Sequence, residues 1–302
     1  MALSFTLCPH LIRARLRAGK RPVLVTGAAG NIGSYFAQNA SNKYSLRLMV
    51  QHQDDVEKLK PFGQVVVCNL ADLDGLKTHC DGIDTVVHLA ADPSPNATWA
   101  SVRDTNIGGT YNMFVAAKTA SVRRVVYASS IHAVSGYPVD RQVKSDDPVN
   151  PGDLYGVSKC FGEALARYMA EQEGLSSICI RIGAFQPQEK MAEPSGAKML
   201  DAWVSPRDLQ HLIEKCIDDD RLQFAIFHGL SDNRFKRLDI SSARELLTYA
   251  PQDDLTDVNP TLANLAADEH PTHSLRDSNE KSGLRNELGP VHSGNGNGRV
   301  TQ

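Results

Sequence analysis

Short apolar runs alternate along the chain with longer stretches in which apolar residues recur at helical spacing. The runs are rich in valine and isoleucine and too short for helices, so they predict buried parallel strands. They cover residues 23–25, 46–50, 65–67, 85–89, 125–128 and 178–182. The helical stretches include residues 32–39, 72–80, 97–119 and 154–173. This alternation predicts the α/β fold class, with a doubly wound parallel sheet and helices on both faces.

The regularity weakens after the sixth apolar run, and a small substrate-binding cap is expected over residues 183–250. Ser205 and Pro206 begin a helix there, with a strand predicted at 223–228 and a last helix at 241–249. Residues 251–302 are polar and lack aromatic side chains, which predicts a disordered tail. Residues 1–21 form a basic extension that fits a transit peptide, a start codon placed too far upstream, or a short basic arm.

Composition narrows the class of protein. The net charge is −3 and no basic stripe is interleaved with aromatic residues, which argues against nucleic acid or an anionic membrane as partner. The six cysteines form no C-x-x-C pair, so no metal site is expected, and reduced thiols fit a cytoplasmic protein. No apolar run approaches the roughly 20 residues that cross a bilayer. The expected partner is a small molecule.

A glycine-rich turn follows the first predicted strand, with Gly27, Gly30 and Gly33 three residues apart. Gly27 permits a tight turn, Gly30 lets a pyrophosphate approach the backbone, and Gly33 lets helix and strand pack closely. Asn31 and Ile32 begin the helix, whose N-terminal N–H groups and dipole attract phosphate. The pattern predicts that residues 22–182 form a Rossmann-type domain that binds a dinucleotide.

Tyr155 and Lys159 lie four residues apart in a predicted helix, so their side chains share one face. The pKa of a free tyrosine is about 10, and a tyrosine that acts as a base at neutral pH needs a pKa about three units lower. That shift corresponds to roughly 4 kcal/mol. The Lys159 ammonium and an oxidised nicotinamide ring together supply that stabilisation. Combined with the glycine turn, the pair predicts an oxidoreductase rather than two surface residues at helical spacing.

Four motifs together resemble the extended short-chain dehydrogenase/reductase superfamily, which includes the NAD-dependent epimerases and dehydratases. They are the glycine turn, His-Leu-Ala-Ala at 88–91, Ala-Ser-Ser at 128–130, and the Tyr155-x-x-x-Lys159 pair. The resemblance spans residues 22–254 and is greatest to the uronate (hexuronate) dehydrogenases, through residues 154–163, 181–183 and 199–203. Those enzymes oxidise the anomeric carbon of a sugar acid to a lactone with NAD.

The resemblance implies roles for individual residues. Tyr155 would be the general base, Lys159 would lower its pKa and hold the nicotinamide ribose, and Ser130, with Ser129 as fallback, would bind the substrate oxygen. Further cofactor residues implied are Asn69 near adenine, Leu70, Leu89, Ala90 and Ala91 along the cleft, and Asn106, which braces the active-site helix. The substrate residues implied are Ser130, His132 and Lys198. Ordinary turn or packing roles are the alternatives for Asn69, Ala90 and Asn106.

The chain departs from the uronate enzymes at three substrate positions. Ile131 and Ala184 stand where those enzymes have asparagine and serine, and Lys198 stands where they have an arginine that clamps the carboxylate. A lysine is a point charge that cannot bind a carboxylate through two parallel hydrogen bonds. The expected substrate is therefore a sugar, sugar acid or polyol, with Lys198 still able to pair with an acid.

The end of the second predicted strand bears on the cofactor. An acidic residue there would favour NAD and an arginine NADP, but the chain has Gln51 and His52, with Asp54 and Asp55 slightly later. NAD is the expected cofactor and NADP the alternative. His88 and His132 are acid/base candidates near strand ends, with satisfied structural groups as the other interpretation.

The main functional hypothesis is an NAD(P)-dependent sugar dehydrogenase of the uronate-dehydrogenase type. The alternative is a nucleotide-sugar epimerase that keeps its NAD bound, although about 70 residues after the sixth strand are few for a nucleotide site. A redox sensor of the same fold is the third class, and such proteins commonly lack the tyrosine–lysine pair. The resemblance also implies a homo-oligomer built on an intersubunit bundle of four helices.

Overall fold

The structure is a computed structural model that describes residues 19–94 and 96–262. Its strands are β1 Pro22–Thr26, β2 Ser45–Val50, β3 Gln64–Val67, β4 Thr85–His88, β5 Arg124–Ser130, β6 Ser176–Ile182, β7 Ala184–Phe185, β8 Trp203–Val204 and β9 Phe224–Gly229. Seven of them form one parallel sheet in the order β3-β2-β1-β4-β5-β6-β9. The other two, β7 and β8, pair with each other.

The helices fill the connections between the strands. They are α1 Asn31–Ala40, α2 Val56–Leu59, α3 Leu73–Cys80, α4 Trp99–Ser101, α5 Gly109–Thr119, α6 Leu154–Glu171, α7 Gln188–Met191, α8 Pro206–Asp218, α9 Ser241–Leu247 and α10 Leu255–Val258. A π-helical segment, Val102–Gly108, joins α4 to α5. Short 3-10 segments cover Gln53–Asp55, Lys60–Phe62, Ile131–Val134, Pro194–Met199 and Pro260–Leu262.

The core consists of two apolar layers, one on each face of the sheet. Successive side chains of a strand point to opposite faces, so Val23 and Val25 enter one layer and Leu24 the other. Helices α1 and α8 pack on the first face, and α3, α5 and α6 on the second. Strands buried on both faces explain the continuous apolar runs of the sequence. The predicted doubly wound α/β fold is confirmed.

The position of β1 sets the place where a ligand can bind. β1 pairs with β2 on one side and with β4 on the other, so the connections leaving β1 and β4 run in opposite directions. In open parallel sheets the crevice at such a reversal, beyond the carboxyl ends of the strands, is the ligand site. The glycine turn lies directly at this crevice.

The predicted boundary between sheet domain and cap, at residue 182, does not separate two structural units. β9 lies inside the predicted cap, yet it pairs with β6 in the main sheet, from Ser177 opposite Phe224 to Ile182 opposite Gly229. Helix α8 also packs on the main sheet through Leu209 and Leu212. Sequence periodicity shows where a strand lies and not which neighbour it pairs with, so this assignment needed the structure.

The predicted tail boundary at Pro251 is too early. Residues 251–262 pack onto the body of the protein, with Leu255 and Asn259 fully buried. The Asn259 side-chain amide donates to the backbone oxygens of Met191 and Glu193. The rest of the predicted tail, 263–302, and most of the basic extension, 1–18, lie outside the described residues.

Two further expectations concern the described residues alone. Across 19–94 and 96–262, every helix is too short or too polar to traverse a bilayer. The same part of the chain contains no group of three or more histidine, cysteine, aspartate or glutamate side chains arranged to hold a metal ion.

Candidate active site

A cleft of about 970 Å³ follows the carboxyl ends of the parallel strands. It extends from the ends of β2 and β3, past the glycine turn after β1, to the ends of β5 and β6. Most of the predicted site residues line it: Gly27, Gly30, Asn31, Ile32, Gly33, Asn69, Leu70, Leu89, Ala90, Ala91, Ser130, His132, Tyr155 and Lys159. Asn106 and Lys198 are not part of its lining within the described chain. Residues distant in sequence therefore meet in one cleft.

The glycine turn is as tight as its sequence predicts. Gly27 has a φ of +65°, and a Cβ there would lie 2.9 Å from the Ala90 Cα. A Cβ on Gly33 would lie 2.3 Å from the Gly27 oxygen, so a side chain would push α1 away from β1. Gly30 is the N-cap of α1, and Asn31 and Ile32 at the start of the helix face the cleft. The cleft thus contains the positive end of a helix dipole.

Thr26 joins the ends of β1 and β4, a link that the sequence did not suggest. Its hydroxyl accepts hydrogen bonds from the backbone N–H groups of Leu89 and Ala90, both at 3.2 Å. It also lies 2.8 Å from Nδ1 of His88, whose Nε2 is 3.3 Å from the Thr110 hydroxyl. Burial lowers the pKa of His88 to about 3, and Lys159 contributes to the shift. His88 is therefore an uncharged structural group rather than an acid/base.

Tyr155 and Lys159 lie on one face of α6 and both are buried, with 8% and 3% of their surfaces exposed. The Lys159 Nζ lies 5.5 Å from the centre of the Tyr155 ring and donates a hydrogen bond to the Ala128 oxygen at 2.8 Å. Asp153 caps the helix by accepting from the Gly156 N–H at 2.6 Å. The helix start and the end of β5 thus hold both side chains at the cleft.

Burial dominates the electrostatics of this pair. It raises the pKa of Tyr155 to about 12; a hydrogen bond with Ser130 lowers the value, and the Asp153 and Asp92 carboxylates raise it. Burial also lowers the pKa of Lys159 to about 8, against the opposing influence of Glu163. In the protein alone, the Tyr155 pKa is therefore raised, whereas we predicted that Lys159 lowers it. Positive charge on a bound nicotinamide would stabilise the phenolate.

The structure separates the two serines at the end of β5. The Ser129 hydroxyl donates to Oε1 of Glu163 at 2.6 Å, and Glu163 accepts two hydrogen bonds from Arg181, each 2.9 Å long. Ser130 instead lines the cleft with Tyr155, and its hydroxyl accepts a hydrogen bond from the His132 N–H at 3.2 Å. Ser129 is engaged in the buried network, so Ser130 is the serine that faces the cleft.

His132 lies beside Tyr155 and is held by a carboxylate. Its Nδ1 is 2.6 Å from Oδ2 of Asp153, and its ring meets the Tyr155 ring edge-on with 5.3 Å between the centres. Asp153 therefore serves both as the cap of α6 and as the partner of His132. Sequence reasoning missed Asp153, although an aspartate directly before a helix is a recognisable N-cap signal.

Asn106 and Lys198 both lie outside the cleft lining of the described chain. The Asn106 side chain is buried and bonds to the backbone N–H and oxygen of Asp92 and to the Ser158 hydroxyl. It connects α6 with the loop after β4, which fits the predicted brace and not a cofactor contact. Lys198 is exposed on the 3-10 segment Pro194–Met199, between β7 and β8.

The cleft wall at the end of β6 includes Ile182, Gly183, Ala184, Phe185 and Gln186. Ala184 agrees with the substrate position named from the sequence, whereas sequence reasoning missed Phe185 and Gln186. A Cβ on Gly183 would lie 2.1 Å from the Ala202 oxygen, so β7 reaches the cleft only because this residue is a glycine. At the opposite end, Gln51, His52 and Asp55 line the cleft beside β2.

Known proteins support this assignment of the cleft. Residues 23–205 match the model of the NAD dependent epimerase/dehydratase family. The chain is 35% identical over 249 residues to NAD-dependent glucose-6-phosphate dehydrogenase from Haloferax volcanii, covering 78% of this chain and 94% of that one. It is 34% identical over 254 residues to L-arabinose 1-dehydrogenase (NAD(P)(+)) of the same organism, covering 77% and 96%. A mutant uronate dehydrogenase from Agrobacterium tumefaciens, complexed with NAD, is similar in structure, with a TM-score of 0.74, 31% identity and coverage of 83% and 92%.

The fold and the cleft define a dinucleotide-dependent enzyme, because a glycine-rich turn and a buried tyrosine–lysine pair face the same space. The chain is a member of the NAD dependent epimerase/dehydratase family. This membership confirms the predicted resemblance to the extended short-chain dehydrogenase/reductase superfamily and the prediction of NAD as cofactor.

Proposed function

We propose that the protein is an NAD-dependent sugar dehydrogenase that oxidises the anomeric hydroxyl of a sugar to a lactone. The observation that carries this proposal is that Ser130, Tyr155 and Lys159 line the same cleft as the glycine turn. Similar proteins over most of the chain are sugar dehydrogenases, acting on glucose 6-phosphate, L-arabinose and uronates by their names.

The cleft residues suit a dinucleotide in one orientation. Gln51, His52 and Asn69 at the ends of β2 and β3 would face the adenosine, and the start of α1 at Gly30 and Asn31 would face the pyrophosphate. The nicotinamide would then lie near Lys159, at the end of β5. The bound NAD supplies the hydride acceptor, and the protein supplies position and proton transfer.

Tyr155 would remove the proton from the anomeric hydroxyl as hydride leaves the same carbon. The C–H bond breaks with its electron pair, the O–H proton passes to the Tyr155 oxygen, and a lactone carbonyl forms. Ser130 would hold the substrate oxygen next to Tyr155. Lys159, fixed to the Ala128 oxygen, would keep positive charge beside the developing phenolate.

A nucleotide-sugar epimerase is the competing function, because it uses the same tyrosine and the same cofactor. An epimerase returns the hydride to the sugar, so reduced NAD does not accumulate. Purified protein should be mixed with NAD and a panel of aldoses, uronic acids and sugar phosphates, and nicotinamide absorbance followed. Reduced NAD in proportion to sugar consumed is the expected result. Conversion of a nucleotide sugar without net reduction would establish the epimerase instead.

Replacing Tyr155 by phenylalanine tests the proposed base. Tyr155→Phe removes one hydroxyl with little change in shape, so NAD affinity should persist while kcat falls by roughly 100- to 10,000-fold. Tyr168→Phe is the matched control, because Tyr168 lies on the same helix, is about half exposed and is not part of the cleft lining of the described chain. Steady-state kinetics and NAD titration by fluorescence give the two readouts. Full activity in Tyr155→Phe would exclude this residue as the base.

Several expectations about the whole protein belong with this proposal. The substrate is carbohydrate-like, with neither nucleic acid nor membrane as partner. The protein acts in the cytoplasm as a homo-oligomer, and it also accepts NADP if Gln51 and His52 leave room for a 2′-phosphate.

A further inference from the structure

One end of the cleft offers little that could pair with an anionic substrate. We call it the substrate pocket, and it is formed by Ile131, His132, Ile182, Ala184, Phe185 and Gln186. These residues follow β5 and β6, on the far side of the nicotinamide position from the adenosine end. Four of the six side chains are apolar, and His132 is the one ionisable group among them. Such a pocket orients its ligand through a few polar groups set in an apolar wall.

Among the described residues that line the cleft, Lys159 is the one lysine or arginine, and it is already engaged. The Nζ of Lys159 donates to the Ala128 oxygen and lies over the rings of Tyr127 and Tyr155, with 3% of the residue exposed. The guanidinium of Arg181 is buried behind β6 and bound by both oxygens of Glu163. Neither side chain presents a cation to a substrate in the pocket.

A carboxylate lies beside the pocket instead. Oδ2 of Asp153 is 2.6 Å from Nδ1 of His132. Asp153 and Asp92 both raise the pKa of Tyr155, which shows that the two carboxylates act on the reacting hydroxyl. A carboxylate or phosphate on the substrate would lose its water here without gaining a cationic partner from residues 19–94 or 96–262.

We propose that the substrate pocket selects an uncharged aldose and rejects uronic acids and sugar phosphates. Polar contacts from Ser130, His132 and the Gln186 amide suit sugar hydroxyls, and Phe185 and Ile182 offer apolar surface to the ring. This inference rests on the proposed sugar dehydrogenase function and names the class of its substrate.

Matched sugars that differ in one group test the selection. Initial rates of NAD reduction are measured with glucose, glucuronate and glucose 6-phosphate, and with galactose and galacturonate. We expect kcat/KM for each neutral aldose to exceed that of its charged counterpart by roughly tenfold or more, which is the effect of one missing charge-assisted hydrogen bond.

The outcomes separate this inference from the proposed function. A kcat/KM for glucuronate or glucose 6-phosphate equal to or above that of glucose would overturn the selection and leave the dehydrogenase function standing. If no sugar of any class reduces NAD while the protein binds NAD, the proposed function fails, and this inference fails with it.

A substitution that adds a positive charge to the substrate pocket provides an independent test. Gln186 is half-buried at the pocket wall, and Gln186→Arg places a fork-shaped cation where a carboxylate could pair with it. The ratio of kcat/KM for glucuronate to that for glucose should rise by roughly tenfold or more in Gln186→Arg relative to Gln186→Met. The Met variant controls for loss of the amide. Equal ratios in the two variants would mean that a missing cation does not exclude the acid, and would contradict the proposal.

Discussion

Lys159 carries an ammonium group into a position with almost no contact with water. Its burial lowers its pKa from the ordinary 10.5 to about 8, so the folded state disfavours the charge that the proposed chemistry needs. One hydrogen bond to the Ala128 oxygen and the influence of Glu163 offset only part of this cost. Lys159 is thus expected to lower the stability of the folded protein while it serves the proposed reaction.

Removing the Lys159 charge should therefore stabilise the protein while it destroys activity. A shift from 10.5 to about 8 corresponds to about 3 kcal/mol. Loss of the hydrogen bond to the Ala128 oxygen reduces this gain by about 1 kcal/mol. We therefore expect Lys159→Met to raise the free energy of unfolding by about 1–3 kcal/mol at pH 7. Urea denaturation at several pH values measures it.

The effect of Lys159→Met on the free energy of unfolding should depend on pH. The folded protein releases the Lys159 proton near pH 8 and the unfolded chain near 10.5, so between these values the unfolded state binds more protons. Wild-type stability therefore rises with pH across this window. The advantage of Lys159→Met should be complete below pH 8 and vanish by pH 10.5. Lys190→Met, at an exposed lysine, should show no such change.

At the level of elements, three consecutive residues of β5 contact three residues of α6 spaced one turn apart. The Ala128 oxygen accepts from Lys159, the Ser129 hydroxyl donates to Glu163, and Ser130 shares the cleft lining with Tyr155. The central contact leads into the fully buried pair of Glu163 with Arg181 of β6. This strand–helix junction holds Ser130 and Tyr155 in register.

Breaking the central contact of the junction should be costly. Glu163→Gln would leave the Arg181 guanidinium buried without a carboxylate, and we expect a loss of about 3–5 kcal/mol in the free energy of unfolding. Glu171→Gln is the matched control, since it breaks the exposed Arg167–Glu171 pair on the same helix and should cost less than about 1 kcal/mol. Chemical denaturation of both variants tests the comparison. Similar small losses would show that the buried pair does not stabilise the junction.

Considered as a whole molecule, the protein exposes an apolar stripe on the outer face of α6. Val157, Phe161, Ala164 and Tyr168 recur at helical spacing, and Val157 and Tyr168 are both about half exposed. Tyr111 is also exposed, on α5, which packs beside α6. A continuous apolar surface on two neighbouring helices favours association with a second copy of the chain.

We expect the protein to form at least a dimer through this stripe. Tyr168→Glu would bring two like charges to a two-fold interface, and the dimer should dissociate at micromolar concentration. Leu246→Glu is the control, because it places the same charge at an exposed apolar residue of α9, away from the stripe. Sedimentation velocity distinguishes the states. A wild-type protein that sediments only as a monomer would refute the homo-oligomer prediction.

The sequence by itself determined the features that depend on local spacing. These are the periods of strands and helices, the glycine turn, and the four-residue separation of Tyr155 and Lys159. Each depends only on a short segment, because backbone geometry fixes which side chains of a strand or helix share a face. The seven predicted strands and the position of the glycine turn in the cleft agree with the structure.

Only the tertiary structure decided the features that depend on which segments meet. It placed β9 in the main sheet, packed residues 251–262 onto the body, and left Lys198 outside the cleft. It also placed the Ser129 hydroxyl against the buried Glu163 carboxylate and Ser130 in the cleft with Tyr155, although the two serines are neighbours in the sequence. The physical reason is that burial and pairing are properties of three-dimensional proximity, and adjacent positions in a sequence can face different surroundings.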